Sequence, residues 1–446
     1  MKLQRTIIIL FLILTIYCKP EVSFPYHRYI ILIKPTQQIK NNELSSTEPE
    51  TVVTPVFFPS SGHYSSPQTI TLSTETVGAT IYYTTDGTEP TTSSSLYNSS
   101  LGHIWFIAGK SLKAIAVKSG AISSSIASAE YSYSLLKTGQ TSCWDNAGVP
   151  ISCVGTNHDG ETQFGLTRSY TDNGDGTIGD NATGLIWQKC SKGQNNDTVC
   201  SGTSTGSDWN GAISFCEGLS LSGRTWRLPN SIELETLPNY GIGDGSTIPV
   251  IDTAYFPNTP LTFYWSSSNY EPNSTQAWYA FFNNARVGGE RVKTNFDRVR
   301  CVSGTTKSQV KTYIDNNDGT IKDKATGLVW QKCTRGFTNV TDCTGGSATT
   351  INWIGAISYC SSLTLAGRSW RLPSGLELNS LVDKSVTSIP VINSTVFPNT
   401  VLTSYWSSTS VNIGPSGAWV VNYSGGLAFN FNSKGINLNV RCVSGP

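Results

Sequence analysis

The chain has 446 residues, with 38% hydrophobic and 14% charged residues and a net charge of +1. That length suits about three domains, and the near-neutral charge excludes a global field drawing the chain to nucleic acid. Plentiful Gly and aromatic residues beside a single Met disfavour a helical bundle and suit short strands joined by tight turns.

Residues 1–18 read as a signal peptide. Lys2 and Arg5 precede the mostly apolar run 6–17, which is shorter than the roughly 20 residues of a membrane span. Cys18 ends this run with no small-x-small cleavage site before it. This resembles a bacterial lipoprotein signal, so Cys18 is the expected lipidation site and a lipid anchor the expected tie to a membrane. Residues 19–52 are rich in Lys, Gln, Asn, Ser, Thr and Glu, a composition that cannot bury enough surface to fold alone, and read as a flexible tether.

Residues 53–135 read as a small β domain. Strands are expected at 69–73, 80–85, 111–117 and 128–134, where β-branched and aromatic residues alternate between Gly, Pro, Ser and Asp. The stretch 79–90, ATIYYTTDGTEP, reads as a strand ending in an Asp86-Gly87 turn. With Pro55, the Gly62-His63-Tyr64 step and the 112–117 run, it resembles the chitobiase/β-hexosaminidase C-terminal domain. That resemblance implies an immunoglobulin-like sandwich serving as accessory or spacer, without the glycosidase activity. Asp86 and Glu89 are accordingly expected to be a turn residue and a solvated carboxylate, not a catalytic pair.

Residues 136–305 and 306–446 are two copies of one unit. The stretch 209–229, WNGAISFCEGLSLSGRTWRLP, returns at 353–373 as WIGAISYCSSLTLAGRSWRLP. Trp209, Ala212, Ile213, Cys216 and Leu219 fall at helical spacing, as do Trp353, Ala356, Ile357, Cys360 and Leu363. Asn230 and Glu233, like Ser374 and Glu377, fit a helix capping box. The first copy has a preface at 137–164 with its own Cys pair.

Setting Cys18 aside leaves ten of the eleven Cys, an even number. The spacing Cys190–Cys200 recurs as Cys333–Cys343, and Cys216–Cys301 recurs as Cys360–Cys442. The duplicated spacing favours those four disulfides, with Cys143–Cys153 left by elimination. Such bridges persist in an oxidising compartment.

Asp-Gly-Thr-Ile, Thr-Gly-Leu-x-Trp, Trp-Arg-Leu-Pro, Phe-Pro-x-Thr, Tyr-Trp-Ser-Ser and Val-Arg-Cys-Val occur in this order in both copies. The set resembles the family named for the C-terminal domain of the Legionella collagen-like protein, a surface adhesin that binds sulfated glycans. The resemblance implies an α+β fold: two tandem C-type-lectin-like, disulfide-bonded domains, here preceded by the all-β immunoglobulin-like sandwich.

The expected function is that of a surface-exposed bacterial lipoprotein binding glycans, sulfated ones included, or host matrix, without catalysis. The alternative is a structural or envelope protein-interaction role without a sugar ligand. Enzymatic chemistry lacks a recurring His or a G-x-S-x-G motif, and the Cys are committed to bridges. No cofactor is expected. Calcium would have to use the Asp172, Asp175 and Asp180 hairpin or its counterpart at Asp315, Asp318 and Asp323, and Asp-Gly there is also ordinary turn chemistry. Candidate glycan-binding residues lie where the copies differ. Glu271 and Asn273 belong to a Glu-Pro-Asn tripeptide that aligns with Asn412-Ile413-Gly414 in the second copy. Arg286, Arg291, Lys293 and Arg298 read as a basic patch of the first copy alone, with Arg291 and Lys293 on one face if 291–298 is a strand. The shared Arg300 and Arg441 are expected to serve the fold, and the recurring Trp residues to be mainly buried.

Overall fold

The computed structural model describes residues 49–446 apart from 65–67, 99–103, 106–110, 244–246, 305, 307–310, 425–429 and 446. Cys18 and nearly all of the expected tether lie outside the described residues. The chain is mostly β, and among the described residues no helix is long and apolar enough to cross a membrane.

The N-terminal β domain follows from period-two patterning. In Ser111–Val117 the side chains of Leu112, Ala114 and Ala116 are buried, and their neighbours are only half-buried. This strand sits within a sheet that also holds Gly62–Tyr64, Ala127–Tyr133, Thr80–Thr84 and Ser95–Leu96. A second sheet joins Val56–Phe58, Thr69–Ser73 and Ile104–Trp105. Phe57, Ile70 and Leu72 of the second sheet share one core with Ile81, Leu112 and Tyr131 of the first. Asp86 accepts bonds from the Thr88 N–H and hydroxyl, and Glu89 pairs with Lys113. These carboxylates therefore close a turn and bind a surface lysine.

Each copy carries two antiparallel sheets. In the first copy, Tyr170–Asp172, Thr177–Asp180, Leu185–Gln188 and Val302–Ser303 form one, and Phe263–Asn269, Gln276–Phe281 and Arg286–Val292 form the other. The second copy repeats this with Tyr313–Asp315, Thr320–Asp323, Val329–Gln331 and Val443–Ser444, then Ser404–Ser410, Gly417–Asn422 and Asn430–Ser433. Helices occupy Trp209–Glu217 and Trp353–Ser361, each started by a side chain, Asp208 or Asn352, that accepts the N–H of a glycine three residues on. The expected capping boxes are present, but the helices they start, Ser231–Leu234 and Gly375–Asn379, are only about one turn long.

Disulfides join Cys143–Cys153, Cys190–Cys200, Cys216–Cys301, Cys333–Cys343 and Cys360–Cys442. The two long ones tie each first helix to the residue preceding the last strand. Both sulfurs of each long bridge are fully buried.

The two copies share a continuous core. Their contact is quasi-symmetric: Tyr240 meets the Trp419 ring edge-on at 5.4 Å, and Lys384, at the position of Tyr240 in the other copy, lies 5.0 Å from the Trp278 ring. Trp278 and Trp419 are themselves equivalent, so residue i meets j and j meets i, as in an isologous dimer. Lys384 also pairs with Glu235 across this contact.

The preface precedes the first copy in sequence yet lies on the second. Thr138 accepts the Tyr240 N–H at its carbonyl as the chain passes the junction. Gln140 then bonds both the N–H and C=O of Ser410. Asp159 accepts the Thr409 hydroxyl, and Phe164 lies 3.7 Å from the Arg371 guanidinium.

Candidate functional site

The recurring charged residues are framework. Glu233 accepts both outer nitrogens of Arg227 and also the Asn230 N–H. Glu377, Arg371 and Ser374 repeat the arrangement. Arg300 is buried over the Phe256 ring and donates to the Lys189 carbonyl and the Thr259 hydroxyl. Burial pushes its pKa down from the ordinary value.

The Asp-rich hairpins hold their own turns. Asp172 accepts the Gly174 N–H and pairs with Lys189, and Asp175 accepts from Thr177. Asp315 and Asp318 do the same with Asn317, Lys332 and Thr320. Asp180 accepts two N–H groups that follow it. Among the described residues no three His, Cys, Asp or Glu side chains form a metal-binding group.

The six candidate residues do not form one patch. Arg286 and Arg291 lie on the face of the Phe263–Asn269, Gln276–Phe281, Arg286–Val292 sheet that carries Phe263 and Phe281, whereas Arg298 is bridged to Tyr264, one residue along, and so belongs to the opposite face. Phe263 stacks on Phe281 with centroids 4.3 Å apart, and Tyr279 meets Phe263 edge-on at 5.1 Å. The Arg291 guanidinium lies 3.9 Å above Phe263 and bonds both oxygens of Asp297. That carboxylate and the hydrogen bonds to it raise the Arg291 pKa further. Arg298 donates to the Ser204 hydroxyl, and Arg286 sits opposite Phe281 in register. The Arg286 Nε is buried and has no hydrogen-bond partner among the described residues.

This face belongs to the first copy only. In the second, the Phe263·Phe281 pair becomes Ser404·Asn422, Val420 replaces Tyr279, and Asn432 and Asn439 replace Arg291 and Arg298. The sequence carries Leu427 where the first copy has Arg286.

Lys293 corrects the expected patch. The strand ends at Val292, so 291–298 is not one strand, and the two side chains go to different partners: Arg291 lies over Phe263 and Lys293 over Trp209. Nor is Lys293 private to the first copy. The Lys293 carbonyl accepts the Trp209 N–H as the Lys434 carbonyl accepts that of Trp353. Each ammonium lies 4.1 Å from its Trp ring. Lys293 also donates to the Asn269 side chain and the Ser274 carbonyl.

Glu271 and Asn273 lie in the loop before Gln276 and join neither group. Glu271 is exposed, and the Asn273 side-chain oxygen accepts the Thr275 N–H and hydroxyl, so it closes the loop. Sequence reasoning missed Phe263, Tyr279 and Phe281. Their signal was available: three aromatics at same-face strand positions that the second copy replaces with Ser, Val and Asn.

The chitobiase/beta-hexosaminidase C-terminal domain family matches residues 59–128. No curated protein and no solved structure matches the chain. The Lcl C-terminal domain family matches residues 176–303 and again 319–444, more than half of the sequence and both copies of the repeat. The chain therefore belongs to the Lcl C-terminal domain family and carries that domain twice.

Proposed function

We propose that the protein is a non-catalytic, exported surface protein that binds acidic glycans through its first Lcl domain, with the β domain as spacer and Cys18 as lipid anchor. The observation that carries the reading is the aromatic–arginine face of that copy. Phe281, stacked on Phe263, offers apolar ring surface for a sugar. The half-buried Arg286 and Arg291 guanidinium groups offer planar donors suited to sulfate or carboxylate. Paired disulfides and two surface-associated domain types support an extracellular setting. Host matrix that carries such glycans is a ligand in the same sense.

The test is binding of the full chain to sulfated, carboxylated and neutral glycans across a salt titration. Sulfated glycans should bind best, weaken with salt, and lose tenfold or more in Arg286→Ala. Equal binding of neutral glycans, or no effect of Arg286→Ala, would reject this face.

A further inference from the structure

The two copies present the same Trp–Lys corner under different cover. In the second copy it is sealed. Trp353 and Lys434 are both 0% exposed. The Lys434 ammonium donates to the Trp144 and Asp145 carbonyls of the preface, and the His158 ring lies 4.5 Å from the Trp353 ring. Around the corner, Gln140 pairs with the Ser410 backbone, Asp159 accepts the Thr409 hydroxyl, and Phe164 lies on Arg371. A polypeptide loop thus occupies this face through five separate contacts.

In the first copy no described segment covers the corner. Trp209, Lys293 and Ser268 are half-buried and Asn269 is exposed. Arg227 exposes 27% of its side chain where Arg371 exposes 12%. Two of the three donors of the Lys293 ammonium meet groups of its own copy, Asn269 and Ser274. The position of Ser410 is held by Asn269, at the same place on the outer strand of the sheet, and no side chain bonds its backbone among the described residues. The frame of the site is nevertheless intact: the Trp indole N–H is held by the Ser266 carbonyl in one copy and by that of Ser407 in the other.

We propose that the Trp209–Lys293 corner of the first copy, with Asn269, Ser268 and Arg227, docks a polypeptide loop of a partner protein. The loop has the chemistry of the segment that fills the equivalent corner: backbone carbonyls for Lys293, a ring against Trp209, a carboxamide reading the strand edge at Asn269, and an aromatic ring over Arg227. This site is separate from the aromatic–arginine face, so it stands or falls independently of glycan binding. The favoured class is polypeptide because polypeptide occupies the same frame in this chain.

The probe is a synthetic, disulfide-closed peptide of residues 137–166, added to the full chain, whose own segment already fills the second corner. One peptide should bind per chain, and Lys293→Met should weaken it at least tenfold while Arg286→Ala leaves it unchanged. A photoreactive group at peptide position 158 should crosslink to the segment around Trp209. A near-ultraviolet circular dichroism spectrum and a urea midpoint of Lys293→Met that match the parent verify that this variant is folded. Absence of saturable binding at millimolar peptide would overturn the proposal. So would crosslinking confined to the segment around Trp353, or displacement of the peptide by a sulfated glycan whose own binding is lost in Lys293→Met.

Discussion

Asp159→Asn gives the sharpest check on how the preface sits. The Asp159 carboxyl is buried, and one of its oxygens accepts both the Thr138 hydroxyl at 2.5 Å and the Thr409 hydroxyl at 2.6 Å. Burial pushes its pKa from 3.8 up to about 6, with nearby Glu377 adding to the rise and the two hydroxyls and Arg371 opposing it. The folded state therefore holds this proton more tightly than the unfolded one. Below pH 3.8 both states are protonated and the group costs nothing. Between 3.8 and about 6 the unfolded chain ionises first, and stability falls as pH rises. Above that range the loss is constant, at about 3 kcal/mol for the full rise in pKa.

Asparagine keeps an oxygen able to accept both hydroxyls and cannot ionise. The stability difference, Asp159→Asn variant minus parent, should thus be flat below pH 3.8, climb by up to about 3 kcal/mol towards pH 6 to 6.5, and then stay level. His158 titrates in the same range with the opposite sign: burial lowers its pKa to about 4, with Lys434 adding to this and Glu161 opposing. It is present in both proteins and cancels in the difference. The assay is urea unfolding of the full chain with its disulfides intact, at half-unit steps from about pH 3.5 to 8. A difference that does not change with pH would refute the buried position of Asp159 against Thr409, and with it the seating of the preface on the second copy.

His158→Gln should leave the Asp159 slope uncompensated, so that stability falls more steeply between about pH 4 and 6 than in the parent; a parallel profile would contradict it. Replacing Cys216 and Cys301 together by Ala opens a bridge of sequence separation 85 and should cost about 4–5 kcal/mol by chain entropy, seen as a lower urea midpoint. Glu233→Gln breaks a bidentate pair in which the carboxylate is 0% exposed but Arg227 is 27% exposed. Its expected cost is about 2–3 kcal/mol, below the roughly 3–5 kcal/mol of a fully buried pair, and equal stability of parent and variant would argue against the capping role. Tyr240→Ala removes the ring facing Trp419 and should cost about 3–5 kcal/mol; the check is whether amides of both copies lose protection together in hydrogen exchange.

Much of the framework was legible because local patterns dictate it. The helix at 209–217 is written in its apolar spacing, and the capping boxes in four residues each. The duplicated Cys spacing pointed to the disulfide pairing that the structure contains. The candidate site was legible only in part. Arg286 and Arg291 share one face and Arg298 does not, and the aromatics beneath the first two come from strands paired in register rather than from neighbours in sequence. Lys293 has a counterpart that is hidden because the sequence around it diverges between the copies. The register from Tyr264 and Tyr405 to Cys301 and Cys442 is constant and places Lys293 opposite Lys434. Least legible was the preface, whose bond from Gln140 to Ser410 spans 270 residues. Nothing in the local pattern of 137–164 distinguishes a loop lying on its own copy from one lying on the next. That distinction sets which corner is covered. Two domains alike in sequence can hold the same corner and differ in its cover, because a segment outside the repeat lies over one and no described segment lies over the other. Shared residues therefore identify the frame, and the covering segment, together with the private aromatic–arginine face, marks where the two copies differ.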